Sequence, residues 1–414
     1  LLTPCSRRIA SLGRVSLRTN FLGSSVVSYG TTSAASDLTR SITGARWDHS
    51  VLLENLSSDR LYYVRVKSEN GSVSRISETI SFRTPDSTPS YTVSSSHPRI
   101  FFNQGEIPSI RDRIRSAPYD AWWSSIVSFC NQKLGVSVSD IVNDYPRTNT
   151  ALAFAGLIGD VSSYRDKAIA VAMSMAGLPS PGDNKEMRRR IDLILPVYDW
   201  LHAYLTSSQK SALRSKLASY AALLEDLVKD TEFADGHSNG NQNGAFLAAL
   251  GIYGEDSSAA GMIARALVRY NEGFWAFWRE HGSENGGSFK SGWYTTVATE
   301  FNYEVFAAWK SATGKNLFQI EKAWFAGLAD WYLHSLRGDM SWDRHGDVVF
   351  QQGVDEVEKY ILIQIAREYK NTGAQWLGGR ILDFVGVWGP NMVFDILWYD
   401  ASVPERAPAQ ALSR

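Results

Sequence analysis

Apolar positions along the chain follow two different periods. Between residues 31 and 85 they fall at strand-like spacing: Val51 with Leu53, Leu61 with Tyr63, and Val64 with Val66. The "ENG" at 69–71 supplies a turn between strands. Short strands at this spacing predict a small β-sandwich over 31–85. Residues 86–97, within "DSTPSYTVSSSHPR", are rich in Ser, Thr and Pro and read as a linker. Beyond it the period becomes helical. "EIPSIRDRIRSAPYDAWWSSIVSFCNQKL" repeats apolar residues every three to four positions, with Pro108 near a helix start. Further helices are predicted over 148–158, 161–176, 186–204, 207–229, 241–253, 257–279, 296–312, 317–336, 354–371 and 374–386, with Asp256 and Ser257 as capping residues. Helices joined by such short breaks pair as antiparallel hairpins. Periodicity alone leaves both a linear solenoid and a closed (α/α) toroid open.

Length and composition narrow this picture only a little. At 414 residues the chain suits two domains. Its 42 Lys and Arg balance 43 Asp and Glu, which argues against a nucleic-acid-binding surface but allows a local basic groove. Fourteen Trp beside 18 Tyr and 18 Phe suit a protein that stacks rings on sugars, although most of these residues belong in the core. Cys5 and Cys130 lie far apart and form no disulfide framework. No apolar run is long enough for a transmembrane span. Residues 1–30 open with "LLTPCSRRIASLGRVSL", basic but without a continuous apolar stretch, and read as a leader or irregular segment.

Local wording adds a resemblance. Residues Trp47 to Thr84, with "YYVRV" and a closing "FRTP", resemble a fibronectin type III module. From about residue 96 onward, "SHPRIFF…EIPSIRDRI", "PVYDWLHAYLT", "DGHS", "GGSFKSGWY", "LRGDMSWDRHGD" and "DILWYDASVPERAPAQALSR" occur in one order. Together they resemble the heparinase II/III-like polysaccharide lyases. The resemblance implies a mainly α fold: an incomplete (α/α) toroid over residues 98–400, followed in the family by an antiparallel β-sandwich. Residues 401–414 would then begin the linker to that sandwich. It also implies cleavage of uronic-acid polysaccharides outside the cytoplasm: secreted, periplasmic or at the cell surface.

That chemistry sets its own requirements. A base removes the C5 proton, the O4 leaving group is protonated, and the neighbouring carboxylate must be neutralised so that the enolate-like intermediate is stabilised. "GHSNGNQNGAF" (236–246) meets these needs in one stretch. His237 can act as the base, and Asn239, Asn241, Gln242 and Asn243 offer uncharged donors for a carboxylate. A helix starting near Gly244 would aim its free N–H groups at the same region. In the resembling lyases the His of "GHS" is catalytic and falls on His237. Some relatives carry a Glu where this chain has Gly240. The bland alternative is a capped helix start with a satisfied surface His.

The tyrosine the reaction needs falls, by family position, on Tyr294, with Tyr303 as runner-up. Lys290 could hold an acidic group of the substrate, and Trp293 could stack on a sugar; Trp275, Trp278 and Trp342 are more readily core. In "DRHGD" (343–347), His345 with Asp343 and Asp347 reads as a turn near the groove rather than a metal site, with His345 as a candidate substrate contact. Of "RRR" at 188–190, at least one arginine, Arg188 in our assignment, faces the cleft while the others are solvated. No cofactor is required, and a structural metal ion stays open. Two rivals remain. A glycoside hydrolase on the same scaffold could use carboxylates such as Asp199, Asp235, Glu284 or Asp347, separated by about 5–10 Å. A catalytically silent glycan-binding surface protein is the other.

Overall fold

The computed structural model describes residues 2–3, 13–54, 56–57, 60–84, 91–143, 147–228, 236–270, 292–319, 322–342 and 353–408. It is mainly helical, with an antiparallel sheet at the N-terminus. Contacts divide the chain into two units. The first is residues 1–92 with Lys229–Phe233 and Ala264–Ala276; the second is Val93–Val228, Ala234–Ile263 and Phe277–Arg414.

In the first unit the strands are β1 (Leu2–Thr3), β2 (Gly13–Gly30), β3 (Leu38–Leu53), β4 (Leu61–Asn70), β5 (Val73–Ile76) and β6 (Ile80–Arg83). β2 is central, pairing with β3 along one edge and with β1 and β4 along the other. β5 and β6 both extend β4. On β4 the Val64 and Val66 pair faces the core, but the Leu61 and Tyr63 pair does not. Tyr62, Val64 and Val66 point into a core with Val27, Tyr29, Ile42 and Leu53, while Leu61 and Tyr63 face away. Gly71, at φ +61, makes the β4–β5 turn in a conformation that favours glycine.

Two expectations need correction here. All the described strands are hydrogen-bonded into one sheet, where the strand spacing predicts the two separate sheets of a sandwich. Residues 13–30 are the central strand, not an irregular leader. The run "RTN" followed by "GSS" interrupts the apolar alternation of β2, and register shifts between Arg18 and Ser25 mark a bulged stretch there. A polar, bulged strand carries little period-2 signal.

The second unit contains α1 (Ile107–Arg113), α2 (Tyr119–Leu134), α3 (Val138–Val142), α4 (Arg147–Ile158), α5 (Ser162–Gly177), α6 (Asn184–Trp200), α7 (Ser207–Val228) and α8 (Gly236–Gly251). After α9 (Ala259–Arg269), which begins in this unit, come α10 (Gly292–Thr313), α11 (Lys322–Ser335), α12 (Glu356–Tyr369), α13 (Thr372–Val385) and α14 (Met392–Trp398). Helices α4 through α8 each pack on the next in sequence, and α12 packs on α13, as short connections dictate. Local chemistry fixes their ends. Asp183 accepts from the Lys185 N–H at the start of α6, and Asp355 with Glu358 forms a capping box on α12. Lys370, at φ +54, turns α12 into α13.

Residues 401–408 also differ from expectation. They pack back on this unit rather than leaving it as a linker: the Ala401 N–H donates to Tyr119 Oη, the Arg406 N–H donates to the Thr372 carbonyl, and Val403 is buried.

Candidate functional site

The amide-rich stretch is not the mouth of a helix. It is the helix: α8 begins at Gly236, so the N–H groups near Gly244 lie inside the helix rather than at a free end. Gly and Asn are poor helix formers, so packing must hold this segment. The glycines make the packing possible. A Cβ on Gly244 would lie 2.9 Å from Leu224 Cδ1 and 3.1 Å from Arg188 Cγ, and one on Gly251 would lie 2.4 Å from Leu195 Cδ1. Thus α8 rests closely on α6 and α7. Asn239, Asn241, Gln242 and Asn243 are all buried, and Asn241 Oδ1 accepts from Asn184 Nδ2 at 3.1 Å.

Along this contact runs a cavity of about 200 Å³. Its polar wall is Arg147 from α4, Arg188 and Asp192 from α6, Asn243 from α8 and Glu304 from α10. Phe101, Trp200 and Phe394 form part of its apolar wall. Of the four amides, Asn243 is the one that lines it, and Gly240 lines it one turn earlier. Arg188, the arginine assigned from sequence to a cleft, lines this cavity. Its neighbours are not solvated, which corrects the expectation for them: Arg189 and Arg190 are partly buried and both pair with Glu186, whose carboxyl they hold down to about 2 against its burial. Arg147 is fixed from below, its guanidinium lying 4.7 Å from the Tyr360 ring centre and 5.3 Å from that of Phe394.

Asp192 was not anticipated. It is exposed on the cavity wall, with protein crowding its carboxyl from the sides. This desolvation pushes its carboxyl up to about 6, against the pull of Arg147, Arg188 and Arg189. Among the described residues it makes no hydrogen bond or ion pair. Pro196, four residues on, has no N–H, so the Asp192 carbonyl also lacks its usual helical donor.

Several anticipated residues lie elsewhere. Lys290 and His345 are outside the described residues, as are the side chains of His237, Trp293 and Tyr294. The backbones of those three lie in α8 and α10. Tyr303, the fallback, is a core residue: it is 1% exposed, packs on Phe306, Phe318 and Phe325, and donates to the Phe325 carbonyl at 3.0 Å. Burial holds its hydroxyl far above the usual tyrosine range. Trp342 is likewise core, packed on Trp331 and Tyr332. Asp235, Glu284 and Asp347 are outside the described residues.

Asp199 belongs to a second cluster. Its carboxylate accepts from the backbone N–H groups of Arg99 and Ile100 at 2.8–3.2 Å and pairs with His97 Nδ1 at 2.6 Å. Glu255 joins from the other side, meeting His97 Nε2 at 2.7 Å, Arg99 Nη2 at 2.6 Å and the Tyr198 hydroxyl at 2.5 Å. His202 stacks on His97 with ring centres 4.0 Å apart. Burial opposes charge on His97, but its bonds to Asp199 and Glu255 outweigh that and raise its pKa. Burial would also raise Glu255, yet bonds from His202, His97 and Tyr198 hold it well below the carboxylate range. Ligand atoms of His97, His202 and Glu255 lie within 4.8 Å of one another, a spacing a metal ion could use. However, the buried Arg99 guanidinium already contacts both His97 Nε2 and Glu255, and so supplies the positive charge there. Asp199 is therefore committed to structure.

No family model matches the chain, and no curated protein matches it. Among solved structures it is similar to the crystal structure of Salmonella alpha-2-macroglobulin reacted with methylamine, at 8% identity and a TM-score of 0.31. The match covers 96% of this chain but only 27% of the other's length, and a likeness this weak carries no argument. Among the described residues no helix is long and apolar enough to cross a membrane.

Proposed function

We propose that this protein is a polysaccharide lyase that cleaves uronic-acid polymers by β-elimination, on helices arranged as an incomplete (α/α) toroid. One observation supports the reading above the rest: the helix carrying "GHSNGNQNGAF" borders a cavity that brings Arg147, Arg188 and Asn243 together. Two guanidinium groups and an amide suit a carboxylate, whose charge must be quenched before its C5 proton can leave. In this mechanism His237 takes the C5 proton and Tyr294 delivers one to O4. The C–H electron pair becomes the C4–C5 double bond, and the C4–O4 pair departs with the leaving hydroxyl. The packed hairpins of α4 to α8 are compatible with a toroid. The N-terminal sheet would serve as a spacer or docking unit outside the cytoplasm.

The assay is the ultraviolet absorbance of the new double bond on mixing with alginate, heparan, chondroitin or pectic acid. His237→Gln should lower that rate by about 10²–10⁴-fold, the usual contribution of a general base. Undiminished turnover would end the assignment. A second reading has its own observation: Asp192 and Glu304 both line the cavity, as the two carboxylates of a glycoside hydrolase would. New reducing ends without the absorbance would select it, and neither product would point to a binding protein.

A further inference from the structure

We infer that the cavity between α4, α6, α8 and α10 is a subsite for a single hexuronate ring. In it Arg147 and Arg188 receive the ring carboxylate, and Asp192 and Glu304 accept from its hydroxyls. This rests on the proposal that the substrate is a uronic-acid polymer and goes further by assigning the ring's binding groups. The first argument is size. Pockets that hold drug-sized ligands run about 300–1,000 Å³, and this one is about 200 Å³, room for one sugar ring rather than several.

The second argument is chemistry. Arginines suit carboxylates because the guanidinium fork matches the two oxygens, and Arg147 is already oriented by the Tyr360 and Phe394 rings beneath it. Carboxylates suit sugar hydroxyls, being acceptors only when ionised. Phe101, Trp200 and Phe394 give the cavity an apolar wall for the less polar side of a pyranose. The third argument is that Asp192 has nothing else to do. Among the described residues it has no hydrogen bond or ion pair, although it sits one helical turn from Arg188 on the same face of α6. An ionisable group on a cavity wall with no protein partner is a candidate for a ligand's polar groups.

The arrangement also fixes a pH dependence. The charged groups facing Asp192 are Arg147 on α4, Arg188 and Arg189 on α6, and Glu304 on α10. The arginines stay charged throughout. Protonating Asp192, whose carboxyl titrates at about 6, removes a negative charge beside a bound anion and still leaves a carbonyl oxygen to accept from a ring hydroxyl. Uronate affinity should therefore rise as pH falls from 7.5 to 5.

The test is binding, measured by calorimetry or ligand-observed NMR on the 414-residue protein. The probes are D-glucuronate, D-galacturonate, D-mannuronate and L-guluronate, each against its neutral hexose. At least one uronate should bind about tenfold or more tightly than its hexose, since a charge-assisted hydrogen bond is at stake. Arg188→Gln should abolish that preference. Arg147→Gln should do the same, but Arg147 also packs on two rings, so Arg188→Gln carries the test if the other variant fails to fold. The wild type should bind the uronate about threefold or more tightly at pH 5 than at pH 7.5, and Asp192→Asn should remove that difference.

Equal affinity for every uronate and its hexose would overturn the inference, and so would an Arg188→Gln variant with unchanged preference. A pH dependence that survives in Asp192→Asn would overturn the role of Asp192. The two proposals fail separately. Selective uronate binding without double-bond formation sinks the lyase and leaves the subsite. Double-bond formation by a protein that binds uronates and hexoses alike does the reverse.

Discussion

The His97 cluster and the Asp192 cavity use the same residue types to opposite ends. In the cluster every charge is answered: Asp199 receives two backbone N–H groups and a histidine, and Glu255 receives an arginine, a tyrosine and His97. In the cavity, Asp192 faces open space beside two arginines, and its carboxyl is pushed up to about 6. Satisfied polar networks make a unique fold, while a group held away from its preferred state is a cost that a site accepts for its ligand. Both sets stand on α6, which carries Arg188, Asp192, Tyr198 and Asp199. One helix thus carries both the lock and the site.

The largest expected effect breaks the lock. Arg99→Ala would leave Glu255 without its buried cation, and removing one partner of such a pair costs about 3–5 kcal/mol. For a unit of this size that is a fall of roughly 10 °C in melting temperature. An unchanged melt would show that the cluster is ornamental. Its pH window follows from the two shifts. Glu255 is depressed, so its contribution is present above the ordinary carboxylate pKa and is lost as pH falls through its folded value. His97 is raised, so its contribution is present below about 6.5 and is lost as pH rises through its folded value. The stability added by these two groups should therefore be greatest at mildly acid pH. His97→Gln should remove the decline on the alkaline side, which thermal melts across pH would reveal.

A smaller effect lies where the helices meet. Gly244→Ala adds a methyl 2.9 Å from Leu224 Cδ1 and 3.1 Å from Arg188 Cγ. Both contacts are side-chain atoms that can shift, so the overpacking should cost about 1–3 kcal/mol, partly offset by the better helix propensity of Ala. Because Arg188 must move, uronate binding should weaken more than stability does. A loss of stability with intact binding would separate Arg188 from the cavity's function.

These contrasts show what the sequence could reveal. Helices α5, α7 and α13 were legible because their apolar residues recur at helical spacing over three or more turns. The start of α8 was not, because "GHSNGNQN" has the composition of a loop and only contact with α6 and α7 makes it helical. β2 was hidden by its polar, bulged middle. Arg188 was accessible as one of three arginines, but its neighbours' commitment to Glu186 depends on which way each side chain turns on α6. Asp192 was missed because "RRRIDLILPVYDW" reads as an apolar helix with an incidental acid. A signal was present: Arg188, Asp192 and Pro196 stand at i, i+4 and i+8, one stripe of α6, and all three line the cavity. The cluster was illegible for a different reason, since His97, Asp199 and Glu255 come together from distant segments of sequence.

The smallest effect has the opposite sign from the first. Asp192 is harder to ionise in the folded protein than in the unfolded chain, where a carboxyl titrates near 3.9. The sign then follows from proton linkage. Below about pH 3 the group is protonated in both states and contributes no difference. As pH rises toward about 6 the unfolded chain releases its proton first, so the folded state loses stability relative to it. Asp192→Asn, which stays neutral, should therefore melt higher than the wild type at pH 7.5 and match it at about pH 3. The group retains solvent contact, which screens the penalty, so the gain should be about 1 kcal/mol or less. If instead Asp192→Asn melts lower at pH 7.5, Asp192 is an ion-paired structural carboxylate like Asp199, and the contrast between the two regions collapses.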